Sequence, residues 1–132
     1  MKVCVVGLGA IGGTLGYYLA KAGCELSALA RGKTLAALAQ KGLRLIEGKA
    51  GQEIEGSVSI RASGDPSCLG PQDLVVLAVK APALGALAPA LKPLLKADTI
   101  VMPAMNGIPW WFFQDFGAAL KGRRLRSVDP DG

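Results

Sequence analysis

The run Val3-Cys4-Val5-Val6-Gly7-Leu8-Gly9-Ala10-Ile11-Gly12-Gly13-Thr14 leaves this chain few folds to choose from. Four apolar residues, three of them β-branched, lead directly into Gly-x-Gly-x-x-Gly, and an apolar helical pattern begins at once. Such a stretch reads as strand, tight turn and helix, and each glycine has its own reason to be there. Gly7 lets the chain turn sharply off the strand, and Gly9 lets backbone approach a pyrophosphate. Gly12 lets the helix pack close to a sheet. The helix N-terminus then offers unpaired N–H groups and a partial positive charge to phosphates. The same residues nearly match a mononucleotide P-loop, but its phosphate-gripping lysine would fall on Gly13, so that reading fails. A signal peptide or membrane span is also a poor fit. Glycines 7, 9, 12, 13 and 16 add little transfer energy, and Lys21 and Glu25 break the apolar run soon after them.

Beyond the turn, Leu15, Tyr18, Leu19 and Ala22 are spaced for one buried helix face, with Gly23 closing the helix. Residues 25–30 read as a second strand, and a unit this compact crosses over right-handed and leaves its strands parallel. Residues 33–40 form a short helix with Leu35, Leu38 and Ala39 inward, ended by Gly42. Residues 43–46 and 57–60 alternate apolar and polar around a glycine-rich turn, which predicts two short antiparallel strands. Residues 62–72 read as a polar loop and 73–80 as a third parallel strand. A helical stretch opens at Pro82 with Leu84, Leu87, Ala88, Leu91, Leu94 and Leu95 on its buried side; Pro89 and Pro93 must kink or split it. Residues 99–103 are the fourth parallel strand. The expected fold is therefore α/β, a Rossmann-type doubly wound, mostly parallel sheet with helices on both faces and a short antiparallel addition. It occupies residues 1–132 as one domain.

Open α/β sheets bind ligands at the carboxyl ends of their strands, which puts weight on the charged residues there. An NAD site carries Asp or Glu at the tip of the second strand, about 20 residues past the glycines, to bind the ribose 2′-hydroxyl. At that position stands Arg31, with Lys33 close behind and no acid nearby. A carboxylate repels a 2′-phosphate, whereas a guanidinium holds one bidentately. The inverted residue type predicts NADP. Lys80 ends the third strand at the same edge, and Asn106 projects there too, although an Asn-Gly pair alone reads as a turn former. The net charge of +5 is scattered, and the cluster Lys121, Arg123, Arg124 and Arg126 lacks interleaved aromatics. It reads as a solvated face, and no nucleic-acid partner is expected. Three widely spaced cysteines and no histidine argue against a metal site or a disulfide framework and for a reducing, cytoplasmic setting. Without histidine, acid–base work falls to lysine, carboxylates and hydroxyls. Trp110, Trp111, Phe112, Phe113 and Phe116 cannot all face one side of a helix, so some of them cover a partner surface.

With these residues in place, the chain resembles the N-terminal domain of ketopantoate reductases (2-dehydropantoate 2-reductases). The resemblance rests on Gly7-Leu8-Gly9-Ala10-Ile11-Gly12-Gly13, Ala30-Arg31, Val79-Lys80-Ala81 and Asn106-Gly107-Ile108-Pro109-Trp110-Trp111. The closing Ser127-Val128-Asp129-Pro130-Asp131-Gly132 also looks like that family. It implies NADPH-dependent reduction of a 2-oxo acid, 2-dehydropantoate, to pantoate in pantothenate and coenzyme A synthesis. By position it gives Gly7, Leu8, Gly9, Ala10, Ile11 and Gly12 to the cofactor's pyrophosphate turn and Arg31 to the 2′-phosphate. Lys80 would lie near the cofactor, and Asn106 between nicotinamide and substrate. Ala83 stands where the family commonly has a glutamine. The family's catalytic lysine and substrate-orienting glutamate belong to a C-terminal helical domain that these 132 residues do not reach. The expectation is a cofactor holder with little turnover of its own, which meets that domain or a second copy through residues 110–113. The alternative is a free-standing, non-catalytic NADP-binding module.

Overall fold

The computed structural model describes residues 1–49, 52–109, 111–114 and 117–127. In chain order the elements are β1 (Lys2–Val6), α1 (Ala10–Lys21), β2 (Glu25–Leu29), α2 (Gly32–Lys41), β3 (Leu43–Glu47), β4 (Ile54–Val58) and β5 (Arg61–Ser63). They continue with β6 (Leu74–Leu77), α3 (Leu84–Leu87), β7 (Ile100–Pro103) and α4 (Gly117–Leu120). The main sheet runs β5-β2-β1-β6-β7 with every neighbouring pair parallel. β1 lies at its centre, where Val5 is level with Ala28 on one side and Val76 on the other.

Alternation along the strands sends side chains to two separate cores. Val3, Val5, Ala28 and Val76 face α1, α2 and the β3–β4 hairpin. Cys4, Val6, Val75 and Leu77 face the leucines of α3 and its flanks. Helical structure on both faces is the doubly wound arrangement expected. The inward side of α1 differs from the sequence reading. Gly12, Gly16 and Tyr17 are buried, whereas Tyr18 is half exposed. Leu15 and Leu19 pack against the core as expected, but the helix approaches the sheet through Gly12 and Gly16, and Tyr17 rather than Tyr18 turns inward. On α2, Leu38 is buried but Ala39 is exposed.

Three further differences have local causes. The expected loop over residues 62–72 contains β5, which pairs with β2 through Ser27↔Arg61 and Leu29↔Ser63. β3 pairs with β4 in antiparallel register from Leu43↔Val58 to Glu47↔Ile54, so the second strand starts earlier than expected. This hairpin forms a sheet of its own. The stretch after β6 is one helical path in three pieces, with 3-10 turns over Ala81–Ala83 and Ala88–Leu94 on either side of α3. Its prolines deny the i→i−4 ladder its donors, as their spacing predicts. Leu84, Leu87, Leu91 and Leu94 are buried, whereas Ala88 and Leu95 are exposed.

Polar groups fix the N-terminal edge of the sheet. Buried Ser27 Oγ shares its one proton between Val3 O at 3.2 Å and Gln72 Oε1 at 3.3 Å, and Gln72 Nε2 donates to Leu69 O and Gly70 O. Asp73 accepts from the Lys2 backbone N–H and from Lys96 Nζ, each at 2.7 Å. Thr99 Oγ1 donates to Gln72 O at 2.7 Å. The starts of β1, β6 and β7 are thereby held together, and the opposite edge is left to the ligand-facing loops.

Candidate dinucleotide site

At the C-terminal edge the β1–α1 turn is built from three glycines under different constraints. Gly7 has φ +94°, which L side chains rarely adopt, and a Cβ there would lie 2.8 Å from Val79 Cγ1. A Cβ on Gly12 would lie 2.0 Å from Gly7 O and 2.9 Å from Ala78 Cβ, so the helix start rests directly on the turn and on the β6 exit. A Cβ on Gly9 would meet nothing within 4 Å. Gly9 caps α1 without a side chain, and the first ladder bond is Gly13 N to Gly9 O at 2.8 Å. The N–H groups of Ala10, Ile11 and Gly12 precede that ladder, and helix geometry leaves them without an intrahelical acceptor. Two of the glycines are packed shut and the third faces open space. That is a cradle for a phosphate.

Two cavities adjoin at Val79, which lines both. The first, about 390 Å³, is bounded by Gly7, Leu8 and Gly9, by Leu29, Ala30, Arg31 and Thr34 across from them, and by Leu87. The second, about 340 Å³, is bounded by Ile11, Lys80, Ala81, Pro82, Met105 and Asn106 among others. Of the residues expected at the site, Gly7, Leu8, Gly9 and Arg31 therefore line one chamber, and Ile11, Lys80 and Asn106 the other. Ala10 and Gly12 line neither. Gly12 acts by packing, and Ala10 is an exposed first residue of the helix. β6 ends at Leu77, so Lys80 lies three residues into the loop beyond it.

Arg31 caps α2 with extended backbone and is exposed. Ala30 N donates to Ser63 O at 3.0 Å, so β5 fixes the exit of β2 just before the arginine. A Cβ on Gly64 would lie 4.0 Å from Arg31 Cγ, which shows how closely the chain beyond β5 tracks the arginine stem. Neither Arg31 nor Lys80 has an ion-pair partner among the described residues. Ion pairs away from the site join Arg44–Glu55, Lys96–Asp73 and Lys96–Asp98. Two unneutralised cations, one per chamber, favour an anionic ligand. Cys4 of β1 is fully buried and lines neither cavity, and burial pushes its thiol pKa up. Val79, Leu87, Thr34 and Met105 line the chambers without standing out in the sequence. Thr34 lies in the first turn of α2, which Arg31 caps, and nothing in the sequence alone marks it.

Among the described residues, no group of three or more cysteines, aspartates and glutamates comes together to hold a metal ion. No helix among them is long and apolar enough to cross a membrane. Of the aromatic run, Trp110 and Phe116 lie outside the described residues. Phe112 is 43% exposed and stacks edge-on against Phe113 at 5.2 Å.

Sheet order, doubly wound helices and a glycine turn at the central strand define a Rossmann-type α/β domain. The family model described as "Ketopantoate reductase PanE/ApbA" matches residues 3–109, and the chain belongs to that family. A 2-dehydropantoate 2-reductase of Mesorhizobium japonicum is 46% identical over 133 residues, covering 100% of this chain and 40% of that protein. A solved structure from Ralstonia solanacearum MolK2, assigned to the ketopantoate reductases, superposes with a TM-score of 0.87 at 49% identity. The match covers 98% of this chain and 39% of that one. A D-mandelate dehydrogenase solved with NADH and anilino(oxo)acetate has a TM-score of 0.71 at 26% identity, over 83% of this chain and 34% of its own. The chain thus spans about two fifths of the length of the first two relatives. A nicotinamide cofactor is the expectation for this family.

Proposed function

We propose that this chain binds NADPH and forms the cofactor-holding part of a 2-dehydropantoate 2-reductase-like oxidoreductase. The observation that supports this most is the pairing of an open Gly9 turn with an unpartnered Arg31 across one 390 Å³ cavity. The donor set suits the ligand. Backbone N–H groups at the start of α1 meet the pyrophosphate, and the Arg31 guanidinium takes the 2′-phosphate bidentately. Lys80 and Asn106 line the adjoining chamber, where the nicotinamide end and a small 2-oxo acid would lie.

When bound, the cofactor supplies a hydride to the substrate's carbonyl carbon. This chain's own contribution is positional. The Asn106 amide offers both a donor and an acceptor between cofactor and substrate, and Lys80 offers a cation beside them. No histidine is available to protonate the developing alkoxide. Of the residues lining the two chambers only Lys80 is an amine that could give a proton; we assign that step and the orientation of the substrate to groups outside them. By the family resemblance these are a lysine and a glutamate of a helical domain.

A neighbour of the same fold was solved with NADH, so the choice between 2′-hydroxyl and 2′-phosphate rests with residues at the tip of β2. Fluorescence titration of the 132-residue chain tests this. NADPH is expected to bind at least tenfold more tightly than NADH, and Arg31→Asp to remove or reverse that preference. Equal binding of the two nucleotides by the unmodified chain would overturn the assignment of Arg31.

A further inference from the structure

We propose that Thr34 is a second 2′-phosphate ligand, whose hydroxyl works with Arg31 to discriminate NADPH from NADH. The proposal rests on the reading of the first cavity as the nucleotide site, and extends it to a residue that the glycine and arginine motifs do not include. Thr34 lines that cavity together with Arg31 and with Gly7, Leu8 and Gly9 of the glycine turn. It is exposed, and its Oγ1 has no hydrogen-bond partner among the described residues, so its donor is uncommitted. It stands three residues after Arg31, in the first turn of α2, a turn without an acidic residue. An anion held there meets no opposing carboxylate from that helix.

The chemistry divides the work. A guanidinium presents a planar fork and satisfies two phosphate oxygens, leaving the third oxygen to another donor. A threonine hydroxyl is a short, neutral donor that suits such an oxygen. A ribose 2′-hydroxyl, lacking that charge, offers it a much weaker partner. Lys33, between the two in sequence, is exposed and does not line the cavity.

Thr34→Val keeps the side-chain shape and removes the donor, and Thr34→Ser keeps the donor and removes a methyl group. In titrations of the 132-residue chain, Thr34→Val is expected to weaken NADPH about three- to tenfold and to leave NADH unchanged. Thr34→Ser should hold the NADPH affinity. Unchanged NADPH binding in Thr34→Val, or equal loss for both nucleotides, would overturn the role of Thr34 while leaving Arg31 intact. If the unmodified chain binds both nucleotides equally, the assignments of Arg31 and Thr34 fall together; if it binds neither, the reading of the cavity as a nucleotide site falls, and Thr34 with it. Competition by 2′-AMP against 5′-AMP gives the same comparison without the nicotinamide end, and Thr34→Val must lower only the 2′-AMP affinity.

Discussion

Gly9 and Gly12 stand one helical turn apart and answer to opposite demands. A methyl group on Gly12 would sit 2.0 Å from Gly7 O, against backbone that cannot yield without reshaping the turn. One on Gly9 would meet nothing within 4 Å, at a φ of −74° that alanine adopts freely. Gly12→Ala is therefore expected to destabilise the chain by about 1–3 kcal/mol, the usual range for overpacking. Gly9→Ala should stay within about 1 kcal/mol of the parent, the range for an altered N-cap, yet weaken NADPH because its methyl occupies the path of the pyrophosphate. Urea denaturation paired with nucleotide titration separates the two, and equal stability losses would refute the division. These glycines are legible in the sequence because Gly-x-Gly-x-x-Gly between strand and helix carries a geometric meaning. Arg31 is legible because one position discriminates cofactors by charge. Thr34 is not, since a threonine in the first turn of a helix is too common to stand out.

Among elements, legibility tracks length and amphipathic contrast. β1 and β6 are apolar runs bounded by turns and are plain in the sequence. β5 has three residues and no apolar pattern, so only its pairing with β2 reveals it. α1 is read in part, since Leu15 and Leu19 pack as their spacing suggests, whereas Tyr18 is exposed and Gly12, Gly16 and Tyr17 are the buried residues. The N-terminal edge is illegible for another reason. Asp73 is 71 residues from Lys2 and 23 from Lys96, and Thr99 is 27 from Gln72, so these groups meet only once the strands are in register. Lys96 Nζ, chiefly, and the Lys2 N–H hold the Asp73 carboxyl below the usual carboxylate value, and Asp73 in turn holds Lys96 above the usual lysine value. A depressed carboxylate stabilises the fold above its unfolded value, about 3.9, and that contribution is lost as pH falls through the depressed one. A raised lysine stabilises below its unfolded value, about 10.4, and that contribution is lost as pH rises through the raised one. The urea midpoint is therefore expected to fall at both extremes. Asp73→Asn should lower the neutral plateau slightly, because the pair is exposed and solvent-screened, and flatten both limbs. Acid and alkaline limbs as steep in the variant as in the parent would dismiss the edge contact as a source of pH dependence.

At the scale of the molecule the sheet is covered at its centre and bare along β7. Parallel sheets normally bury both faces, and β1 and β6 do. β7 does not. Ile100 is 66% exposed, Val101 44% and Met102 36%, and β6 is its only paired neighbour among the described residues. Ile108 and Phe112 add exposed apolar surface in the next segment of the chain. The fourth parallel strand is where the sequence places it, but its exposure is not legible there, because an apolar run looks the same whether its faces are covered or bare. An unpaired, apolar edge strand is a template for association. The 132-residue chain is accordingly expected to self-associate, with sedimentation velocity shifting to faster species as concentration rises. Val101→Lys puts a charge on one face of β7 and should return the chain to monomer. No residue of β7 lines either cavity, so the same variant should bind NADPH as the parent does. A clean monomer of the parent at high concentration would refute the role of this edge. Loss of both association and nucleotide binding in Val101→Lys would instead mean that β7 supports the fold of the site, and that binding and assembly are not separable in this chain.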